Sequence, residues 1–181
     1  MTIICWKDGI LAADSLCLYG SHRANVPHKK IKMAGKNVYG STGSGALFDP
    51  MIRWVEDGAE PEKCPNVPND TTRLLVFTDG RCISYRIGLP YAEEYHSPDA
   101  WGSEAEFACG AMAAGASAEE AVHLAIKHTN TVGGPVEVID LQSCDVFGHD
   151  FEAYKDPRGG YFGECKRCGK KTGWNEMLAH G

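Results

Sequence analysis

The chain has 181 residues, with eighteen Lys and Arg against twenty-four Asp and Glu, for a net charge of −6. That length supports one well-filled core with room for a small appendage, and a hydrophobic content of 43% is ordinary for a globular domain. The acidic balance supplies no basic field for nucleic acid, and no apolar run nears the roughly 20 residues of a bilayer span. No basic segment followed by an apolar one suggests a signal peptide, so a cytoplasmic protein is expected.

Residues 2–7 and 10–19 read as two strands joined at Lys7-Asp8-Gly9, where Asp-Gly is a strong short hairpin signal. Residues 21–29 are polar, contain Pro27 and read as a loop. Residues 30–34 alternate as a strand, Gly35-Lys36-Asn37 turns, and residues 38–40 begin another. A Gly- and Ser-rich stretch leads to a predicted helix over 48–58, with Asp49 as N-cap, Pro50 in the first turn and Gly58 as the stop. After a proline-rich loop (PEKCPNVPND, 61–70), residues 73–78 and 81–87 form a hairpin about Asp79-Gly80. Ser103-Glu104-Ala105-Glu106 and Ser117-Ala118-Glu119-Glu120 both fit the Ser-x-x-Glu capping box and open two further helices. Thr131-Val132-Gly133-Gly134-Pro135 breaks the second, and 136–141 reads as a closing strand. Strands and helices in separate runs imply an α+β layered architecture rather than alternating βαβ units.

Cys5, Cys17, Cys82 and Cys109 fall in apolar segments, where a thiol serves as a small buried hydrophobe, and no disulfide framework is expected. Past Leu141 the periodicity stops. A domain boundary is placed there, giving residues 1–141 and 142–181.

The threonine-headed first strand, the return ILAADS (10–15), Lys30-Ile31-Lys32 and the turn GSTGSG (40–45), in that order, resemble the proteasome β-subunit and its bacterial ring-protease relative. The stretch WGSEAEFACGAMAAGASAEEAVHLAIKHTNTVGGPVEVIDL (101–141) is similar to the short proteasome-like proteins of bacteriophage genomes and prophages. Covering roughly 1–141, the resemblance implies a four-layer α-β-β-α sandwich and an N-terminal-nucleophile (Ntn) hydrolase. It further implies a homo-oligomer, in rings or smaller assemblies, acting on peptide or protein substrates with an unfoldase as a potential partner.

That chemistry needs a hydroxyl nucleophile and a local base. A free α-amine with an ordinary pKa of about 8 can take the hydroxyl proton, directly or through water. A lysine beside it pushes the amine toward neutrality, an aspartate orients the lysine, and backbone N–H groups of a glycine turn receive the oxyanion. On the resemblance, Thr2 is the nucleophile, Asp14 and Lys30 tune it, Gly43 in the 40–45 turn holds the oxyanion, and Ser103 supports the site. Lys32 lies on the same strand face as Lys30 and is its rival. Each residue also has a plain structural reading: Thr2 as a strand residue, Asp14 as a turn former, Lys30 as a solvated charge, Ser103 as a helix cap.

The sequence departs from the family at three points. Relatives begin Thr-Thr-Ile after methionine, whereas this chain reads Met1-Thr2-Ile3-Ile4. If Thr2 matches their second threonine, Met1 stands in the nucleophile's place. Activity then requires that Met1 be removed and Thr2 shift by one residue, a slip that flips strand side chains between faces. Glu104 stands where a Gly-Ser-Gly pattern has glycine, and His128 where many relatives carry an aspartate. The hydrolase reading therefore has an alternative: an inactive homologue acting as an oligomeric assembly or binding protein through its tail.

In that tail, Cys144 and His149 are followed by Cys165 and Cys168, two local pairs with the layout of a closed, structural zinc (Zn2+) site of three sulfurs and one nitrogen. His180 is a rival for His149. A module this small needs metal to supply its folding energy.

Overall fold

In the computed structural model, the described residues are 1–20, 22–24, 26–68, 70–78, 80–143, 151–155, 161–166 and 170–173. The first two strands, β1 (Ile3–Lys7) and β2 (Ile10–Ala13), close as a tight hairpin. Asp8 and Gly9 at its tip have φ of 52° and 78°, the two left-handed residues that match the twist of paired strands. The predicted second strand stops at Ala13, six residues before expected, because the chain bends inward at Asp14. A two-residue ladder then pairs β3 (Leu18–Tyr19) with β4 (His22–Arg23), in part of the stretch read as loop.

Two sheets carry the fold. The first has strand order β10-β1-β2-β11, with β10 at Asp99–Gly102 and β11 at Glu137–Asp140. The second is an antiparallel run of five: β5 (Ile31–Ala34), β6 (Asn37–Thr42), β7 (Arg73–Thr78), β8 (Arg81–Arg86) and β9 (Leu89–Tyr95). Helices α2 (Ala105–Ala113) and α3 (Ala118–His128) cover the first sheet, where Ile3, Cys5 and Ala12 meet Ala108, Met112, Ala121 and Val122. Helix α1 (Phe48–Glu56) covers the second, packing Phe48, Met51 and Ile52 on Tyr39, Leu74 and Val76.

The sheets meet face to face. Trp6 and Trp101 both set their rings edge-on to Phe77, with centroids 5.5 and 5.8 Å apart. A Cβ at Gly40 would come within 3.2 Å of Ile4 Cδ1, so that glycine lets the sheets close. Strand β1 is thus buried on both faces, Ile3 and Cys5 toward the helices, Ile4 and Trp6 toward the other sheet. This is why it reads as an unbroken apolar run rather than an alternating one. Each large side chain so buried contributes about 1.5–3 kcal/mol. The layers run helix, sheet, sheet, helix.

Helix starts follow the sequence unevenly. Ser117 and Glu120 form the reciprocal capping box of α3. Asp49 does not cap α1: a 3-10 turn over Gly45–Leu47 leads straight in, Leu47 is the N-cap, and Asp49 lies in the first turn, bound to Lys32. Nor does Ser103 cap α2, whose N-cap is Glu104.

The chain divides into two compact units, Met1–Ile139 and Asp140–Gly181. Within the second, β12 (Phe151–Lys155), β13 (Tyr161–Cys165) and β14 (Lys171–Gly173) form an antiparallel meander. Among the described residues no helix is long and apolar enough to cross a membrane.

Candidate active site

The bend after β2 places Asp14 fully inside the protein. A buried carboxylate must be satisfied, and this one accepts four hydrogen bonds. Oδ1 accepts from Ile3 N at 2.9 Å and from Lys30 Nζ at 2.6 Å; Oδ2 accepts from Leu16 N at 3.2 Å and Gly133 N at 3.0 Å. The Gly133–Pro135 loop completes the clamp. Gly133 O accepts from Ser15 N and Leu16 N, and Ser15 Oγ donates to Pro135 O at 2.7 Å.

Lys30 lies just ahead of β5, where its carbonyl accepts from Ser41 N. Its side chain is only 4% exposed and spans from one sheet to the other to reach Asp14. The same ammonium donates to Met1 O at 3.0 Å. That oxygen belongs to the peptide bond joining Met1 to Thr2. With C=O and C–N bonds of about 1.23 and 1.33 Å, Thr2 N lies within about 5.6 Å of Lys30 Nζ. Burial pulls the Lys30 pKa below the ordinary 10.5, and the attraction of Asp14 opposes this only in part. Lys32, two residues on, donates instead to Asp49 and stacks over the Phe48 ring at 4.9 Å. Of the two lysines, only Lys30 meets Asp14.

Thr2 is itself buried, at 5% exposure. Its carbonyl accepts from Ser103 N at 2.9 Å and from Ser103 Oγ at 3.3 Å. The serine hydroxyl therefore holds the first strand rather than a helix end. Gly102 makes that approach possible: at φ +119°, a Cβ there would fall 1.9 Å from Thr2 O. Glu104 accepts a hydrogen bond from Thr131 Oγ1, and His128 sits exposed at the end of α3 beside the Phe107 ring.

A cavity of about 310 Å³ opens beside Thr2, lined also by Lys30, Cys17, His28 and the Gly43–Ala46 turn. Gly43, at φ +99°, presses against Thr72, whose Oγ1 would be 2.6 Å from a Cβ and accepts from Ser44 N. Cys17 departs from its predicted place in the core by lining this cavity half-exposed, whereas burial pushes the Cys5 and Cys82 thiols up to about 12.

Thr2, Asp14, Lys30 and Ser103 thus form one connected cluster, with Gly43 on the wall of the adjoining cavity. No local sequence signal singled out Gly102, Gly133, Ser15, Thr72 or His28. The proposed zinc ligands Cys144, His149 and Cys168, and the rival His180, lie outside the described residues. Cys165 is buried on β13, its N–H donating to Lys170 O. Among the described residues no group of three or more His, Cys, Asp or Glu could hold a metal ion.

No protein-family model matches this chain, and neither does any curated protein. Solved structures do match. One is a Thiobacillus denitrificans protein, BPH, determined in complex with epoxomicin, at a TM-score of 0.53 and 19% identity. The match covers 77% of this chain and 98% of that one. The two share a fold. At this identity the likeness is one of architecture alone, an α+β sandwich.

Proposed function

We propose that this chain is a threonine-type Ntn hydrolase that cleaves amide bonds, with peptides as substrates. Scission of the Met1–Thr2 bond would free the Thr2 amine. Thr2 Oγ then attacks the substrate carbonyl as the amine takes the hydroxyl proton, directly or through water. Lys30, held charged by Asp14, repels a second cation and keeps that amine unprotonated near neutral pH. Gly43 N–H serves the developing oxyanion, and Ser103 positions the Thr2 backbone.

The observation that carries this reading is the 3.0 Å hydrogen bond from a buried lysine to the carbonyl of the bond that must be cut. Of the three donors on that buried ammonium, one goes to Asp14 and one to the first peptide bond, which sets its charge beside the Thr2 nitrogen. The epoxomicin bound by the structural neighbour favours the same class of chemistry. Homo-oligomeric assembly and an unfoldase partner rest on the family resemblance, and sedimentation velocity tests the first. We also propose a structural zinc on Cys144, His149, Cys165 and Cys168, on the strength of their spacing.

The test compares three proteins on fluorogenic peptides: the chain beginning at Thr2, the chain retaining Met1, and a Thr2→Ala variant. Turnover confined to the first is expected. Equal turnover in all three would remove Thr2 from the chemistry, and none in any would favour the non-catalytic assembly or binding reading.

A further inference from the structure

The wall of the cavity beside Thr2 carries an unbalanced charge. His28, Lys29 and Lys30 line it consecutively, and among the described residues no Asp or Glu does. Lys30 is neutralised by Asp14. Lys29 is exposed, and its side chain takes no part in the Asp14 and Lys30 network. Asp49, whose carboxyl is held down chiefly by Lys32 and slightly by His28, is exposed and not part of the lining.

His28 is also fixed in place. Its N–H donates to Ser15 O at 2.9 Å, anchoring it to the Asp14 clamp. Its ring lies against Gly45, where a Cβ would come 2.3 Å from Nε2. Gly45 is at ordinary φ, so space for the imidazole is what a glycine provides there. Imidazole can donate a hydrogen bond in either charge state. The Gly45 side of the cavity is also the N-terminal end of the helical run through Gly45–Leu47 and α1, a region of partial positive charge.

We infer that this cavity receives a side-chain carboxylate, so that the preferred substrate carries Glu or Asp on the acyl side of the scissile amide, with His28 and Lys29 as its specificity-determining partners. This rests on the hydrolase reading for its catalytic consequence, but recognition of the carboxylate does not require turnover. A charge-assisted contact in a partly enclosed site discriminates against a neutral isostere by about tenfold.

The test uses peptides differing only in Glu against Gln at that residue. With the chain beginning at Thr2, kcat/KM for release of a fluorophore should be about tenfold higher for Glu than for Gln, and higher than for Leu or Lys. In parallel, the inactive Thr2→Ala protein, also lacking Met1, is titrated with the corresponding acetyl-peptide amides by NMR. The Glu peptide should bind more tightly and perturb the His28 ring resonances. A His28→Leu, Lys29→Glu double variant should reverse the ranking toward Lys, with its folding verified by thermal melting. Turnover without preference for Glu overturns this inference and leaves the hydrolase reading standing. Preferential binding of Glu without turnover does the opposite. Absence of both preferences overturns the inference outright.

Discussion

Replacing Asp14 by Asn keeps the shape of the side chain and removes its charge. The Lys30 ammonium, 4% exposed, loses its counterion, and the amide NH2 cannot accept from two of the present four donors. Breaking one side of a buried pair costs about 3–5 kcal/mol, against a total domain stability of about 5–15 kcal/mol. At roughly 2–4 °C per kcal/mol, the melting temperature should fall by about 10–15 °C. Lys30→Met should cost less, because Asp14 would keep three backbone donors. Urea unfolding at pH 7 measures both, and a double-mutant cycle gives their coupling. The pH profile adds a sign. Because burial lowers the Lys30 pKa below 10.5, the folded state sheds this proton before the unfolded state does. Its contribution therefore rises with pH between the lowered value and 10.5, and is least below both. Lys30→Met should remove that rise. If Asp14→Asn lies within about 1 kcal/mol of the wild type, the Asp14 clamp does not hold the site together.

Glycines give a sharper contrast. Gly102→Ala should disrupt folding, since its Cβ would sit 1.9 Å from Thr2 O, whereas Gly110→Ala, inside α2 with open space around it, should stabilise by about 0.5–1 kcal/mol in thermal melts. Ser103→Ala should cost at most about 1 kcal/mol, because Ser103 N keeps its 2.9 Å bond to Thr2 O, and it should leave α2 helicity unchanged by circular dichroism. If the tail binds zinc as proposed, metal analysis should find one ion per chain. Chelation should then raise hydrogen exchange across 142–181 while the sandwich stays protected; simultaneous melting of both would argue against separate units.

Much of the fold was legible from local signals. The Asp-Gly hairpin and the α3 capping box depend on neighbours a few residues apart, and each forms where the sequence puts it. Strands β9 and β10 were not legible. The first, LPYAEEY, breaks its alternation with a proline and two adjacent glutamates, which suits a sheet edge and resembles a loop in sequence. The run 10–19 reads as one apolar strand because nothing local reveals that Asp14 will turn inward for donors elsewhere. Its partner Gly133 is 119 positions away, and the Ser103 hydroxyl finds Thr2 O at a separation of 101. A Ser-x-x-Glu string describes a helix cap equally well until that long-range oxygen is in place. Lys30 and Lys32 were indistinguishable by strand period; long-range partners separate them, Asp14 taking Lys30 and the packing of α1 bringing Asp49 to Lys32.

Attack by a threonine hydroxyl must pass through an ester between that oxygen and the acyl half of the substrate. Rapid acid quench of the chain beginning at Thr2, followed by mass spectrometry of its N-terminal peptide, looks for that ester directly. Acyl mass should appear on Thr2 and be absent from the Met1-retaining protein. Acyl mass on Cys17, or hydrolysis with no acylated residue at all, would contradict a threonine nucleophile.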